Sequence, residues 1–87
     1  MKILVVDDEK LAGSRLERIL KELGYENITV FNNPLNALDN INHNRYDLVF
    51  LDIQMPNITG IELANKILEN EPNTFIVFQS VIDNWIL

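Results

Sequence analysis

The chain has 87 residues, 47% hydrophobic and 23% charged, enough for one small domain with a single core. A formal net charge of −6 excludes a nucleic-acid surface, and the absence of cysteine excludes a disulfide framework or a thiolate metal site. No apolar run is long enough for a signal peptide or a membrane span, so a reducing, cytoplasmic setting with no membrane contact is expected.

The run Ile3-Leu4-Val5-Val6 is short and continuously apolar, as in a buried parallel strand, and it ends on Asp7-Asp8. Leu16, Ile19, Leu20 and Leu23 follow at i, i+3, i+4 and i+7, predicting a helix with one apolar stripe and a stop at Gly24. Ile28 to Phe31 is β-rich. Asn33-Pro34 supplies an N-cap and first residue for a second helix, with Leu35, Leu38 and Ile41 on its buried side. Leu48-Val49-Phe50-Leu51 is a third strand ending at Asp52, and a Pro/Asn loop runs from Met55 to Thr59. Ile61, Ala64, Ile67 and Leu68 stripe a third helix that Glu71-Pro72-Asn73 breaks, and Phe75 to Phe78 is a fourth strand.

This β-α-β-α-β-α-β order, without repeats, low-complexity tracts or a second domain, predicts a three-layer α/β/α fold. Its sheet is parallel and built by right-handed crossovers. Asp83-Asn84 could cap a helix beginning at Trp85, but too few residues follow for it to hold. The fourth strand is then left with an open edge of aromatic and aliphatic residues, which invites pairing with another chain. A single domain over residues 1–87, cut short at its carboxyl end, is the expectation.

Strand-end carboxylates carry the chemistry. Neighbouring parallel strands lie roughly 5 Å apart. If the first and third strands are neighbours, Asp7, Asp8 and Asp52 meet at the carboxyl edge of the sheet, where open α/β folds place ligands. Three clustered like charges call for a cation, and a hard divalent ion such as Mg²⁺ suits oxygen donors. Each residue alone has a plainer reading. Asp7-Asp8 could cap a helix, Asp52 could be a turn residue before Pro56, and Ser80 could be a loop serine. His43 has no second histidine to support a metal site, and Lys10 reads as a solvated first-turn lysine.

Taken together, Asp7-Asp8, the run Asp52-Ile53-Gln54-Met55-Pro56, Gly60 and Ser80 resemble the CheY-like receiver domain of two-component response regulators, across the whole chain. Asp7-Asp8-Glu9-Lys10-Leu11-Ala12 and the tail Asp83-Asn84-Trp85-Ile86-Leu87 look like receivers attached to LytTR-type DNA-binding domains. The resemblance implies a flavodoxin-like fold, here lacking its last helix-strand-helix, roughly 30 residues. It implies that Asp52 is the phosphoacceptor and that Ser80 gives a hydrogen bond to the phosphoryl group as part of the switch. Asp7, Asp8, Asp52 and the backbone carbonyl of Gln54 would hold Mg²⁺, with Mn²⁺ able to stand in. The implied partner is a sensor histidine kinase, and DNA would be met only through an output domain absent from this chain. Any catalysis is self-catalysed phosphotransfer and autodephosphorylation, not that of a classical enzyme. Homodimerisation through the open sheet edge or uncovered helix faces is expected from their apolar character.

One departure stands out. Receivers carry a lysine after the fifth strand that pairs with the phosphoryl group, and no basic residue here follows Lys66. Losing such a contact removes about 1.5–3 kcal/mol, or roughly ten- to a hundredfold in rate if felt in the transition state. The competing expectation is therefore a remnant that is phosphorylated poorly and acts by self-association. A haloacid-dehalogenase-type phosphatase would need a second Asp where Gln54 stands. A dinucleotide or P-loop binder would need glycines where Asp7-Asp8-Glu9-Lys10 stands.

Overall fold

A strand whose every side chain is apolar must be covered on both faces and paired on both edges, and β1 (Ile3–Val6) is: all four residues are 0% exposed. The computed structural model describes residues 1–79 and the backbone of Trp85 and Ile86. The elements are β1, α1 (Lys10–Glu22), β2 (Ile28–Phe31), α2 (Pro34–Ile41), β3 (Leu48–Asp52), α3 (Gly60–Asn70), β4 (Phe75–Gln79) and β5 (Trp85–Ile86). The sheet order is β2-β1-β3-β4-β5, with β1 to β4 parallel. This is the flavodoxin-like α/β arrangement expected from the sequence.

Residue alternation on the strands divides the core in two. Leu4, Val6, Val49 and Leu51 face α2 and α3, packing with Ala37, Ile41, Leu63, Ala64 and Ile67. Ile3 and Val5 face the other side with Leu20 of α1. At the amino edge, β1 and β3 are locked by paired bonds. Asp47 N–H donates to the Lys2 carbonyl at 2.8 Å, and Lys2 N–H donates to Asp47 Oδ2 at 2.7 Å. Buried Thr74 adds a hydroxyl bond to the Tyr46 carbonyl at 2.7 Å, and Phe75 N–H reaches the Asp47 carbonyl at 3.0 Å. Register set at this edge is carried to the opposite one, where the acidic residues stand.

Punctuation followed expectation. Asn33 caps α2, its Oδ1 accepting from Leu35 N–H at 2.9 Å, and Gly24 ends α1 at a φ of 100°, open to glycine without strain. The apolar stripes need correction. On α1 the buried residues are Gly13 and Leu20, while Ile19 is 42% and Leu23 69% exposed. On α2, Leu35 is exposed and Pro34, Ala37 and Ile41 are buried. On α3, Leu63 joins Ala64 and Ile67 in the core, whereas Ile61 and Leu68 are exposed. The α3 pair has a geometric reason. Asn70 Nδ2 bonds the Ile41 carbonyl of α2 at 3.3 Å, and Ile61 lies about half a turn around the helix from Asn70, away from α2.

At Trp85, where the sequence allowed a helix to begin but not to hold, the chain is extended instead. Trp85 and Ile86 form a two-residue strand antiparallel to β4, with Gln79 opposite Trp85 and Phe78 opposite Ile86. An unpaired strand edge satisfies its backbone groups with whatever extended chain lies near, and here that is the chain's own return. The proposed Asp83-Asn84 cap lies outside the described residues.

The corrected α1 face gives a direct check. Leu20→Ala should lower unfolding free energy by about 2–5 kcal/mol, while Leu23→Gln should change it by no more than about 0.5 kcal/mol. Urea denaturation of both variants measures this, and equal losses would restore the original stripe.

Candidate acidic site at the carboxyl edge of the sheet

Because β1 and β3 are paired with Val6 opposite Leu51, the residues that follow them, Asp7 and Asp52, emerge side by side. One carboxylate oxygen from each of Asp7, Asp8 and Asp52 lies within 4.8 Å of the others. Asp7 is 2% exposed, its backbone N–H bonds the Phe31 carbonyl of β2 at 3.1 Å, and its Oδ1 accepts from Glu9 N–H at 2.9 Å. That bond closes a local turn, and the helix cap itself is Glu9, without a side-chain cap bond. Asp8 is exposed and Asp52 half-buried, so the cluster opens to solvent on one side. Asp52 Oδ1 accepts from Gln54 N–H at 3.2 Å, which holds the start of the loop after β3 against the acidic group.

The electrostatics follow from this crowding. Burial pushes the Asp7 carboxyl above its ordinary value, against the Glu9 N–H that favours the charged form. Burial, and then the neighbouring Asp7 charge, push Asp52 up to about 6. The described ion pairs, Lys21 with Glu17 and Arg45 with Glu71, involve none of the three aspartates. Lys10 is exposed, as expected of a solvated lysine. An all-oxygen donor set of this charge and spread fits a hard divalent cation, which takes oxygens at about 2.0–2.1 Å for Mg²⁺ and keeps several waters.

The structure therefore brings together Asp7, Asp8 and Asp52, with Gln54 beside them through its backbone. Ser80 lies outside the described residues, although Gln79 before it stands opposite Asp52 in the β3–β4 register. Sequence reasoning missed Ile58. It is 7% exposed, plugged into the core with Met55 and Leu63 beneath a loop whose Asn57 adopts a φ of 72°. The signal was present in Ile58-Thr59-x-x-Glu62-Leu63: an N-cap Thr, a Glu three residues on, and apolar residues at the two staple positions. Thr59 Oγ1 accepts from Glu62 N–H at 3.2 Å and donates to Glu62 Oε1 at 3.2 Å.

A parallel α/β sheet with three carboxylates at its carboxyl edge defines a class of small acidic-pocket domains. Residues 3–84 match the family described as response regulator receiver domain, and the chain belongs to it. Among curated relatives it is 39% identical over 79 residues to the transcriptional regulatory protein YpdB of Escherichia coli K12, covering 90% of this chain and 32% of that one. It is 36% identical over 86 residues to the transcriptional regulatory protein LytR of Staphylococcus aureus, covering 98% of this chain and 35% of the relative. The chain thus spans about a third of the curated relatives it matches. Among solved structures, response regulator TrrA of Thermotoga maritima in complex with Mg²⁺ and a beryllium fluoride is 42% identical with a TM-score of 0.82. That match covers 92% of this chain and 70% of TrrA. The BeF₃-activated DrrB receiver domain is 26% identical with a TM-score of 0.81, over 95% of this chain and 68% of DrrB.

The raised Asp52 value predicts a pH dependence. The folded chain holds this proton more tightly than the unfolded one, so the associated stability is full below 3.8 and is lost as pH rises through about 6. Without divalent metal, Asp52→Asn should flatten that slope. At pH 7 the variant should be more stable, by on the order of 1 kcal/mol after solvent screening. Chemical denaturation at pH 4 and pH 7 in a chelator measures it, and an unchanged slope would contradict the raised Asp52 carboxyl.

Proposed function

We propose that this receiver domain accepts a phosphoryl group onto Asp52, from a phosphohistidine of a sensor histidine kinase, with Mg²⁺ held by the acidic cluster. The observation that carries this reading is the meeting of Asp7, Asp8 and Asp52 at one corner of the sheet. With a value of about 6, Asp52 is mostly carboxylate at neutral pH, yet more basic than an ordinary aspartate, which suits a nucleophile. One Asp52 oxygen bonds to phosphorus as the donor's P–N bond breaks, and the departing imidazole keeps the electron pair and takes a proton from solvent. Asp7, Asp8, Asp52 and the Gln54 carbonyl would hold the ion, with Mn²⁺ as a substitute. Mg²⁺, when bound, neutralises charge on the phosphoryl oxygens. Ser80, the residue after Gln79 in the sequence, would donate its hydroxyl to a phosphoryl oxygen.

The wider setting is part of the same proposal. The relatives named above are transcriptional regulators, so phosphorylation here would govern an output domain that contacts DNA, in the cytoplasm. No helix among the described residues is long and apolar enough to cross a membrane.

Intact mass after incubation with Mg²⁺ and acetyl phosphate tests the central step. A single phosphoryl adduct is expected, absent in Asp52→Ala. No adduct on folded protein would favour the competing remnant reading.

A second reading, self-association, is favoured by exposed large apolar residues, Ile61 and Leu68 of α3 and Phe75 of β4. Light scattering on eluting protein should show a dimer that Phe75→Glu weakens. A monomer at all concentrations would remove this reading.

A further inference from the structure

The first turn of α3 and the end of β3 meet backbone against backbone. Gly60 N–H donates to the Ile53 carbonyl at 2.9 Å, while Ile53 N–H donates to the Gln79 carbonyl of β4 at 3.2 Å. The backbone just after Asp52 is thus gripped from both sides, by α3 and by β4. A Cβ added at Gly60 would overlap the backbone carbonyl oxygen of Asp52 and come within 3.0 Å of the Ile53 Cα. Neither neighbour is a flexible side chain that could move aside. The turn cannot back away freely either, because Thr59 caps α3 and Ile58 is sunk into the core.

We propose that Gly60 is a positioning residue for Asp52, setting by direct backbone contact where its carboxylate stands against Asp7 and Asp8. The inference rests on the metal-assisted reading above and adds a requirement to it. Any side chain at residue 60 must displace α3 or rotate the Asp52–Ile53 peptide, and that rotation swings the Asp52 carboxylate out of the cluster. Mg²⁺ tolerates little such movement, since it demands near-octahedral oxygens at about 2.0–2.1 Å. Gly60 touches neither the ion nor the phosphoryl group and acts through the acceptor's backbone alone.

The test separates positioning from plain stability. Wild type, Gly60→Ala and Ile67→Val are melted in a chelator and then titrated with Mg²⁺, following the rise in melting midpoint. Ile67 is buried on the same helix, 4% exposed, and stands outside the acidic group, so its variant lowers the midpoint without touching the site. Both variants should melt lower than wild type in the chelator. Gly60→Ala alone should lose Mg²⁺ affinity, by roughly tenfold, the lower end of the effect of disturbing groups that orient metal ligands. Wild-type affinity in Gly60→Ala overturns the inference. If Gly60→Ala does not fold, Thr59→Ala decides: loosening the same turn should weaken Mg²⁺ binding more than Ile67→Val does, and equal affinities overturn the proposal. A wild type whose midpoint ignores Mg²⁺ overturns the metal reading itself, and the inference with it.

Discussion

Mutual repulsion among three carboxylates held within 4.8 Å of one another is the constraint around which this domain is arranged. Left to themselves these groups would separate into solvent. They stay together because their backbones have no freedom to leave. Asp7 continues a strand with all four residues at 0% exposure, and Asp52 ends the neighbouring strand, in register with it. The stabilisation that keeps them close comes from elsewhere, from the apolar layers either side of the sheet and the bonds at its amino edge. Burial first, and then this unrelieved repulsion, hold the carboxyl values of Asp7 and Asp52 above the ordinary range. A proton on one carboxylate relieves that repulsion, which ties stability to pH, and a divalent cation among the three would relieve it as well.

The same reasoning explains why the loop after β3 is built so firmly. Keeping Asp52 against Asp7 and Asp8 leaves it a narrow range of positions, and an exposed loop alone would not secure it there. Ile58 and Met55 anchor the loop from below, Thr59 starts α3 at a defined residue, and Gly60 lets that helix approach the strand backbone. Each is a local structural device, and together they convert a mobile connection into part of the sheet corner.

Much of this was legible in the sequence, because the strongest signals are local. Short apolar runs ending in aspartate gave β1 and β3, Asn33-Pro34 gave the start of α2, and Gly24 marked the stop just past the Leu23 cap of α1. The neighbouring of β1 and β3 was only a condition in the sequence, since strand order follows from packing and not from any local pattern. The helix faces were less legible. Ile19, Leu23, Leu35, Ile61 and Leu68 are all apolar at helical spacing, yet each is exposed, because a stripe wider than one contact face cannot say which flank the sheet covers. Ile58 went unread because it sits in a polar loop, where its staple partner Leu63 becomes meaningful only once the helix start is known. The strand at Trp85–Ile86 could not be foreseen, as its pairing depends on which edge of β4 lies open.

The most direct test of the acidic cluster as a cation site is anomalous diffraction from crystals grown with Mn²⁺, which shares the oxygen chemistry of Mg²⁺ and scatters strongly. The account predicts one dominant anomalous peak among the carboxylates of Asp7, Asp8 and Asp52, lost in Asp8→Asn crystals. A structure in which the three aspartates stand together at millimolar Mn²⁺ with no peak between them would contradict it.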